Sequence, residues 1–199
     1  LEDRRLLAAP TFDETSGVLS IDLRGESSPD PVTIRVADGD VVTAAAGTDS
    51  VTLPLNSITR TLVFGSAEGD SIAIVDARTE PTTALASLEI SSGAGDDSII
   101  IDNLSATAVA IAAGAGDDLV DASTASASIV IDGGSGSDTI LTGSGENAIA
   151  ELVGTDYTPA NSETILSFAV TNTNDSGPGS LREAILSANS AAGTAVIDF

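Results

Sequence analysis

A short glycine-acid peptide returns at fixed distance through the middle of this chain. Gly-Ala-Gly-Asp-Asp stands at 93–97 and again at 114–118, Gly-Ser-Gly-Ser-Asp at 134–138 and Gly-Ser-Gly-Glu-Asn at 143–147. A degenerate copy, Ser-Ala-Glu-Gly-Asp, occupies 66–70. The anchoring acids Asp70, Asp97, Asp118 and Asp138 are 27, 21 and 20 residues apart, and Asn147 follows Asp138 after nine. The columns around each anchor agree. Two residues after it stand Ile72, Ile99, Val120, Ile140 and Ile149. Seven before it stand Val63, Ile90, Ile111 and Ile131, and nine before it Thr61, Leu88, Val109 and Ile129. Asp40 with Val42 and Asp49 with Val51 carry the pattern toward the N terminus in looser form.

Each unit reads as a strand, a glycine turn with an acid, a second strand and a second turn. Alternation at spacing two gives each strand one inward face. A unit of about 20 residues with two short strands cannot bury that face alone, whereas stacked copies share one core. The expectation is an all-β chain built as a β-solenoid (parallel β-helix or β-roll-like), with an irregular β N-terminal part and one short C-terminal capping helix. A β-sandwich is the competing fold, but it would not demand the same residues at fixed offsets from a turn. The 30 alanines suit a narrow interior.

Composition removes most chemistries. Cys, His, Met, Trp and Lys are all absent from the 199 residues. That excludes disulfides, thiolate nucleophiles and Cys-based zinc or iron–sulfur sites. It also excludes imidazole bases and ligands, Schiff-base lysines and the phosphate-binding loop. Seven Arg against 30 acids give a net charge of −23, which repels nucleic acid and anionic membrane surfaces. Disorder is a poor reading of a chain that is 42% hydrophobic and rich in β-branched residues. No apolar run is long enough for a membrane-spanning helix. What remains is a carboxylate-rich chain, whose natural partner is a hard cation with oxygen ligands, above all Ca²⁺.

The turns show where such a cation would act. Glycines at alternate positions permit positive φ and a sharp reversal. In a stack, equivalent residues lie about 4.8 Å apart. Asp97, Asp118 and Asp138 would form one column of like charges and Asp96 and Asp117 a second, with Gly95, Gly116 and Gly136 bringing carbonyl oxygens alongside. Two carboxylates at that spacing repel by roughly 0.9 kcal/mol even at the dielectric of water. A divalent cation between turns reverses the sign, so calcium binding is expected to be coupled to folding or stiffening of residues 88–150. The alternative is that these turns are solenoid corners with no metal.

The segments Gly133-Gly-Ser-Gly-Ser-Asp-Thr-Ile-Leu141 and Thr142-Gly-Ser-Gly-Glu-Asn-Ala-Ile-Ala150 are tandem nonapeptides. They resemble the G-G-x-G-x-D-x-U-x repeats of RTX (hemolysin-type) calcium-binding β-rolls. The resemblance implies Ca²⁺ held between consecutive turns by the acid and backbone carbonyls, with Asp97, Asp118 and Asp138 as acidic ligands. The chain departs from that family in having one consecutive nonapeptide pair, Asn147 in place of an acid, and Glu68-Gly69 out of order in the first copy.

The ends differ in character. Residues 1–10 carry Leu1-Glu-Asp-Arg-Arg-Leu-Leu-Ala8, which resembles the N-terminal L-E-x-R-x-L-L motif of planctomycete surface or exported proteins. A short amphipathic turn is the plainer reading of the same residues. The solenoid is expected over 11–153, with leading strands near 17–23, 32–36, 41–45 and 50–53, and a linker over 154–168. In 169–199, Ser180-Leu-Arg-Glu183 is a capping box. It opens a helix to about residue 190, stopped by Gly193, and a strand follows. The string from Val170 to Ile185 is similar to the element that opens parallel β-helix domains in bacterial surface proteins. With no initiating Met and a last strand that resembles a first coil, the chain is expected to be part of a longer, exported protein.

Three functions compete. The favoured one is a non-catalytic, calcium-stabilised extracellular repeat module at the cell surface. Its role would be structural or adhesive, and an adhesive role would need a cell-surface glycan or protein as partner. The second is a fragment of a β-helix carbohydrate-active enzyme. Its acid pair should sit in one cleft rather than in repeated turns, and sugar-stacking aromatics are confined to Phe12, Phe64, Tyr157, Phe168 and Phe199. The third is a secretion module that folds on meeting external calcium, for which a longer nonapeptide array is expected. A metal-free structural spacer is what remains if the turns bind nothing.

Overall fold

The computed structural model describes residues 9–26, 31–125, 127, 129–142, 148–151, 156–157, 166–170, 172–176, 180–190 and 195–198. The N-terminal Leu-Glu-x-Arg motif and the turn at 143–147 lie outside the described residues. The chain divides into two compact units, Leu1–Ala160 and Asn161–Phe199.

The described part of the first unit is all strand and turn apart from one turn of 3₁₀ helix at Leu55–Ser57. It begins with β1 (Thr11–Asp13), β2 (Val18–Asp22), β3 (Val32–Ala37), β4 (Val41–Ala46) and β5 (Asp49–Pro54). The repeats supply β6 (Arg60–Phe64), β7 (Ser71–Asp76), β8 (Leu88–Ser91), β9 (Ser98–Asp102), β10 (Val109–Ala112), β11 (Leu119–Ala122), β12 (Ile129–Asp132), β13 (Thr139–Thr142), β14 (Ala148–Glu151) and β15 (Asp156–Tyr157). One sheet runs β1-β2-β6-β8-β10-β12-β14 and the other β15-β13-β11-β9-β7-β3-β4-β5. From β6 onward the chain therefore changes sheet at every turn, and neighbours within a sheet come from successive repeats.

The sequence columns become rows of paired residues. Ile72, Ile99, Val120 and Ile140 pair across four parallel strands of one sheet. Val63, Ile90, Ile111, Ile131 and Ile149 do so in the other, beside Thr61, Leu88, Val109 and Ile129. A register slip of one residue would turn the buried side chains of these rows outward, so burial fixes the pairing. The inward faces form one core that runs from Leu19, Ile21 and Ile34 to Ile131 and Ile140. Toward the C terminus Ala113, Ala122, Ala125 and Ala127 share the buried places with Ile129, Ile131 and Ile140. Thr61 is the polar exception in its row, fully buried with no partner for its hydroxyl among the described residues.

The leading strands are more regular than the sequence suggests. β3, β4 and β5 form an antiparallel meander with six-residue registers, and β1 closes the other sheet antiparallel to β2. Both sheets are thus mixed, antiparallel at the N-terminal edge and parallel beyond it. The antiparallel edges are blunted, since β1 is three residues long and β5 ends on Pro54, which lacks an amide donor.

In the second unit, β16 (Leu166–Ala169) pairs in parallel with β17 (Ala195–Asp198), and α1 (Leu181–Ser190) lies between them in the chain. The helix starts directly after the buried Ser180, whose carbonyl accepts the Ala184 amide at 3.0 Å. The expected linker stretch contains β15 and the start of β16. Among the described residues, no helix is long and apolar enough to cross a membrane.

Candidate metal centre

The acid turns stack on one another as closely as the strands do. Ala94 bridges Ala115 in parallel, and Ala115 bridges Ser135. The Ala94 amide donates to Ser66 O, the Ala115 amide to Gly93 O and the Ser135 amide to Gly114 O, at 2.8–3.2 Å. Gly95 and Gly116 amides donate forward to Ala115 O and Ser135 O. The glycines follow from this stacking. Gly116 and Gly136 have φ of +139° and +137°, and a Cβ on either would overlap the carbonyl of the glycine one turn earlier, Gly95 O and Gly116 O respectively. Among the described residues, those two carbonyls accept no bond in the turn ladder.

The anchoring acids point inward. Asp70, Asp97, Asp118 and Asp138 are all within 4% exposure. Each later acid reaches back one turn. Asp97 Oδ1 accepts the Asp70 amide at 2.7 Å, Asp118 Oδ1 the Asp97 amide at 2.8 Å, and Asp138 Oδ1 the Asp118 amide at 3.1 Å. The preceding column faces outward and reaches the other way. Asp96 Oδ1 accepts the Asp117 amide and Asp117 Oδ1 the Ser137 amide, both at 2.9 Å. The sequence pattern offers all five acids as ligands, in two columns. The structure brings Asp97, Asp118 and Asp138 into one buried column and leaves Asp96 and Asp117 on a second, more open one.

The buried column is incompletely satisfied. Asp97 Oδ2 and Asp118 Oδ2 are buried and have no hydrogen-bond partner among the described residues. Ser92 lies beside the Asp97 carboxylate, but its hydroxyl donates to Ala113 O at 2.5 Å. A buried carboxylate oxygen without a donor is costly. Burial first, then the charges of Asp97, Asp138 and Asp96, push the Asp118 carboxyl up to about 6 against the pull of the Asp97 amide. Burial likewise raises Asp70 and Asp97. Two orphaned oxygens, turn carbonyls outside the backbone ladder of the described residues and stacked negative charge fit a hard divalent cation. Among the described residues no three acidic side chains converge on one point, so such a cation would draw on turn carbonyls and water as well.

The raised carboxyls give a pH dependence of definite sign. The folded chain binds a proton at Asp118 more tightly than the unfolded chain does. In chelator, stability should therefore fall as pH rises from about 4 through about 6, by an amount on the order of 2 kcal/mol from this one group. The lowered carboxyls of Asp13, Asp22 and Asp76 act below that window. Thermal unfolding in chelator should give a melting temperature several degrees higher at pH 5 than at pH 7, and Asp118→Asn should reduce the difference, leaving what the raised carboxyls of Asp70 and Asp97 contribute. An equal pH slope in the variant would remove Asp118 as its source.

Two features lie outside the sequence expectations. Ser66 donates its amide to Asp70 Oδ2 at 2.7 Å. Arg78 is buried between Asp76 and Asp40, with guanidinium nitrogens 2.6 Å from each. The second has a visible signal. Asp76-x-Arg78 repeats Asp22-x-Arg24 at a strand end, and in both the arginine amide and Nε converge on Oδ1 while Nη2 takes Oδ2. In comparisons with protein-family models, curated proteins and solved structures, nothing matches the chain.

Proposed function

We propose that this chain is a non-catalytic repeat module of an extracellular protein, a β-solenoid whose stacked Gly-x-Gly-x-Asp turns are stabilised by Ca²⁺. The observation that carries the reading is the buried acid column with donorless oxygens at Asp97 and Asp118. Asp97, Asp118 and Asp138 would hold the cation with turn carbonyls, and the bound charge would offset their mutual repulsion. The solenoid form is supported by the parallel registers at repeat spacing and by the change of sheet at every turn. The resemblance of 133–150 to RTX repeats and of 1–8 to an export-associated motif supports the surface location. The module would act as a spacer or an adhesive scaffold.

A metal-free spacer is the second reading. It is favoured by the Oδ1 atoms, each of which already accepts an amide of the preceding turn. Calorimetric titration with calcium, together with thermal unfolding in calcium and in chelator, separates the two. A cation at 100 times its dissociation constant adds about 2.7 kcal/mol per site, a rise of roughly 5–10 °C for a chain of this size. Asp118→Ala should lose much of that rise. No heat of binding at millimolar calcium, with the same melting temperature in chelator, would leave the spacer.

A further inference from the structure

The acid turns of the repeat are not equivalent in their hydrogen bonding. In the first described copy, Ser66 takes the place of the glycine at which later copies have φ between +84° and +108°, and neither Ser66 nor Glu68 has a positive φ. The chain there closes on itself. The Ser66 amide donates to Asp70 Oδ2 at 2.7 Å, and the Ser66 hydroxyl lies 3.4 Å from Asp70 Oδ1. Gly65 lets the carboxylate sit against the backbone, since a Cβ there would overlap Ser92 O and crowd Asp70 Oδ2. At Gly93 and Gly114, with φ of +107° and +108°, no amide reaches the free oxygen of the acid four residues on, and Asp97 Oδ2 and Asp118 Oδ2 stay without donors among the described residues.

We infer that the Asp70 turn is a built-in stop to the cation column: Ser66 supplies from within the donor that a divalent cation replaces at the later turns, so the cation-dependent array begins at Asp97. The inference rests on the calcium reading of the same column. Its physical basis is that a cation stabilises a site by the unmet need it fills. Asp70 is as buried as its successors, but its Oδ2, the oxygen left without a donor at Asp97 and Asp118, already holds the Ser66 amide. The stop also continues the column, because the Asp70 amide is the donor to Asp97 Oδ1. The first cation-bound turn is thereby positioned by a turn whose order does not require metal.

The full chain tests this with three substitutions, Asp70→Asn, Asp97→Asn and Asp118→Asn, each melted in calcium and in chelator. Asp70→Asn should keep the calcium-induced rise in melting temperature and the wild-type number of bound ions. Asp97→Asn and Asp118→Asn should lose most of that rise. Should Asp70→Asn not fold, amide exchange in the unaltered chain serves, with the Ser66 amide expected to be protected in chelator as well as in calcium. A calcium response lost in Asp70→Asn as completely as in Asp118→Asn, or Ser66 protection that appears only with calcium, would overturn the stop. An unaltered chain with no calcium response at all would overturn the calcium reading and the stop together.

Discussion

Gly116→Ala should cost about 3–5 kcal/mol, enough to unfold much of a chain of ordinary stability. Two penalties add. At φ +139° the backbone occupies a region that essentially only glycine visits. The new methyl group would also overlap Gly95 O, and the fixed turn ladder prevents the two turns from moving apart. Gly39→Ala separates the terms. Gly39 has φ +84° but no atom within 4 Å of its would-be Cβ, so it should lose only about 1 kcal/mol. Denaturant unfolding of both variants at neutral pH would measure the difference, and failure of Gly116→Ala to yield folded protein would count as the upper end of the range. Equal losses at the two positions would show that close stacking of turns is not what these glycines serve.

The same stacking accounts for how much of the fold is legible in the residues. Columns at fixed offset from the anchoring acids are pairing registers because a shared core admits one register per strand. Their spacing alone puts Leu88, Val109 and Ile129 in one buried row. The leading strands are legible to within a residue or two at β2, β3, β4 and β5, but their antiparallel meander is not. Nothing in Val32–Ala37 alone says whether its neighbour arrives from a hairpin or from a later repeat, and β3 takes both. At the site, the acids and glycines are recognisable by type. Which way each carboxylate turns is not, since Asp96 and Asp97 are adjacent and identical yet only Asp97 is buried. Ser66 looks like a defect in the repeat because its effect lies in one backbone amide, which every residue except proline carries alike.

Arg78 marks the other place where one substitution should matter greatly. Its side chain is 3% exposed and that of Asp76 1%, whereas the similar Arg24–Asp22 clip is 65% and 45% exposed. Burial pushes the Asp76 carboxyl up, but the Arg78 guanidinium and amide outweigh it and hold the carboxyl below its ordinary value. Both ions are therefore charged in the folded chain, and each is the other's main compensation. Asp40 adds a second carboxylate and receives the Thr83 hydroxyl at 3.2 Å, so the pair ties the β3–β4 turn to the segment after β7. Removing Asp76 leaves the buried Arg78 with only the half-exposed Asp40 to balance it, and removing Arg78 strands Asp76 in a dry site. Asp76→Ala should lose about 3–5 kcal/mol, while Asp22→Ala should lose no more than about 1 kcal/mol. Because Asp76 stabilises the fold when charged, the difference should persist in high salt and shrink only as pH falls below its ordinary range near 3.8. The double substitution Asp76→Leu with Arg78→Met should recover most of the loss, since an apolar pair of similar bulk leaves no buried charge. Denaturant midpoints of the two single variants and the double variant close the cycle. A double variant no more stable than Asp76→Ala would mean that the clip is held for its geometry across the β3–β4 turn rather than for its charge balance.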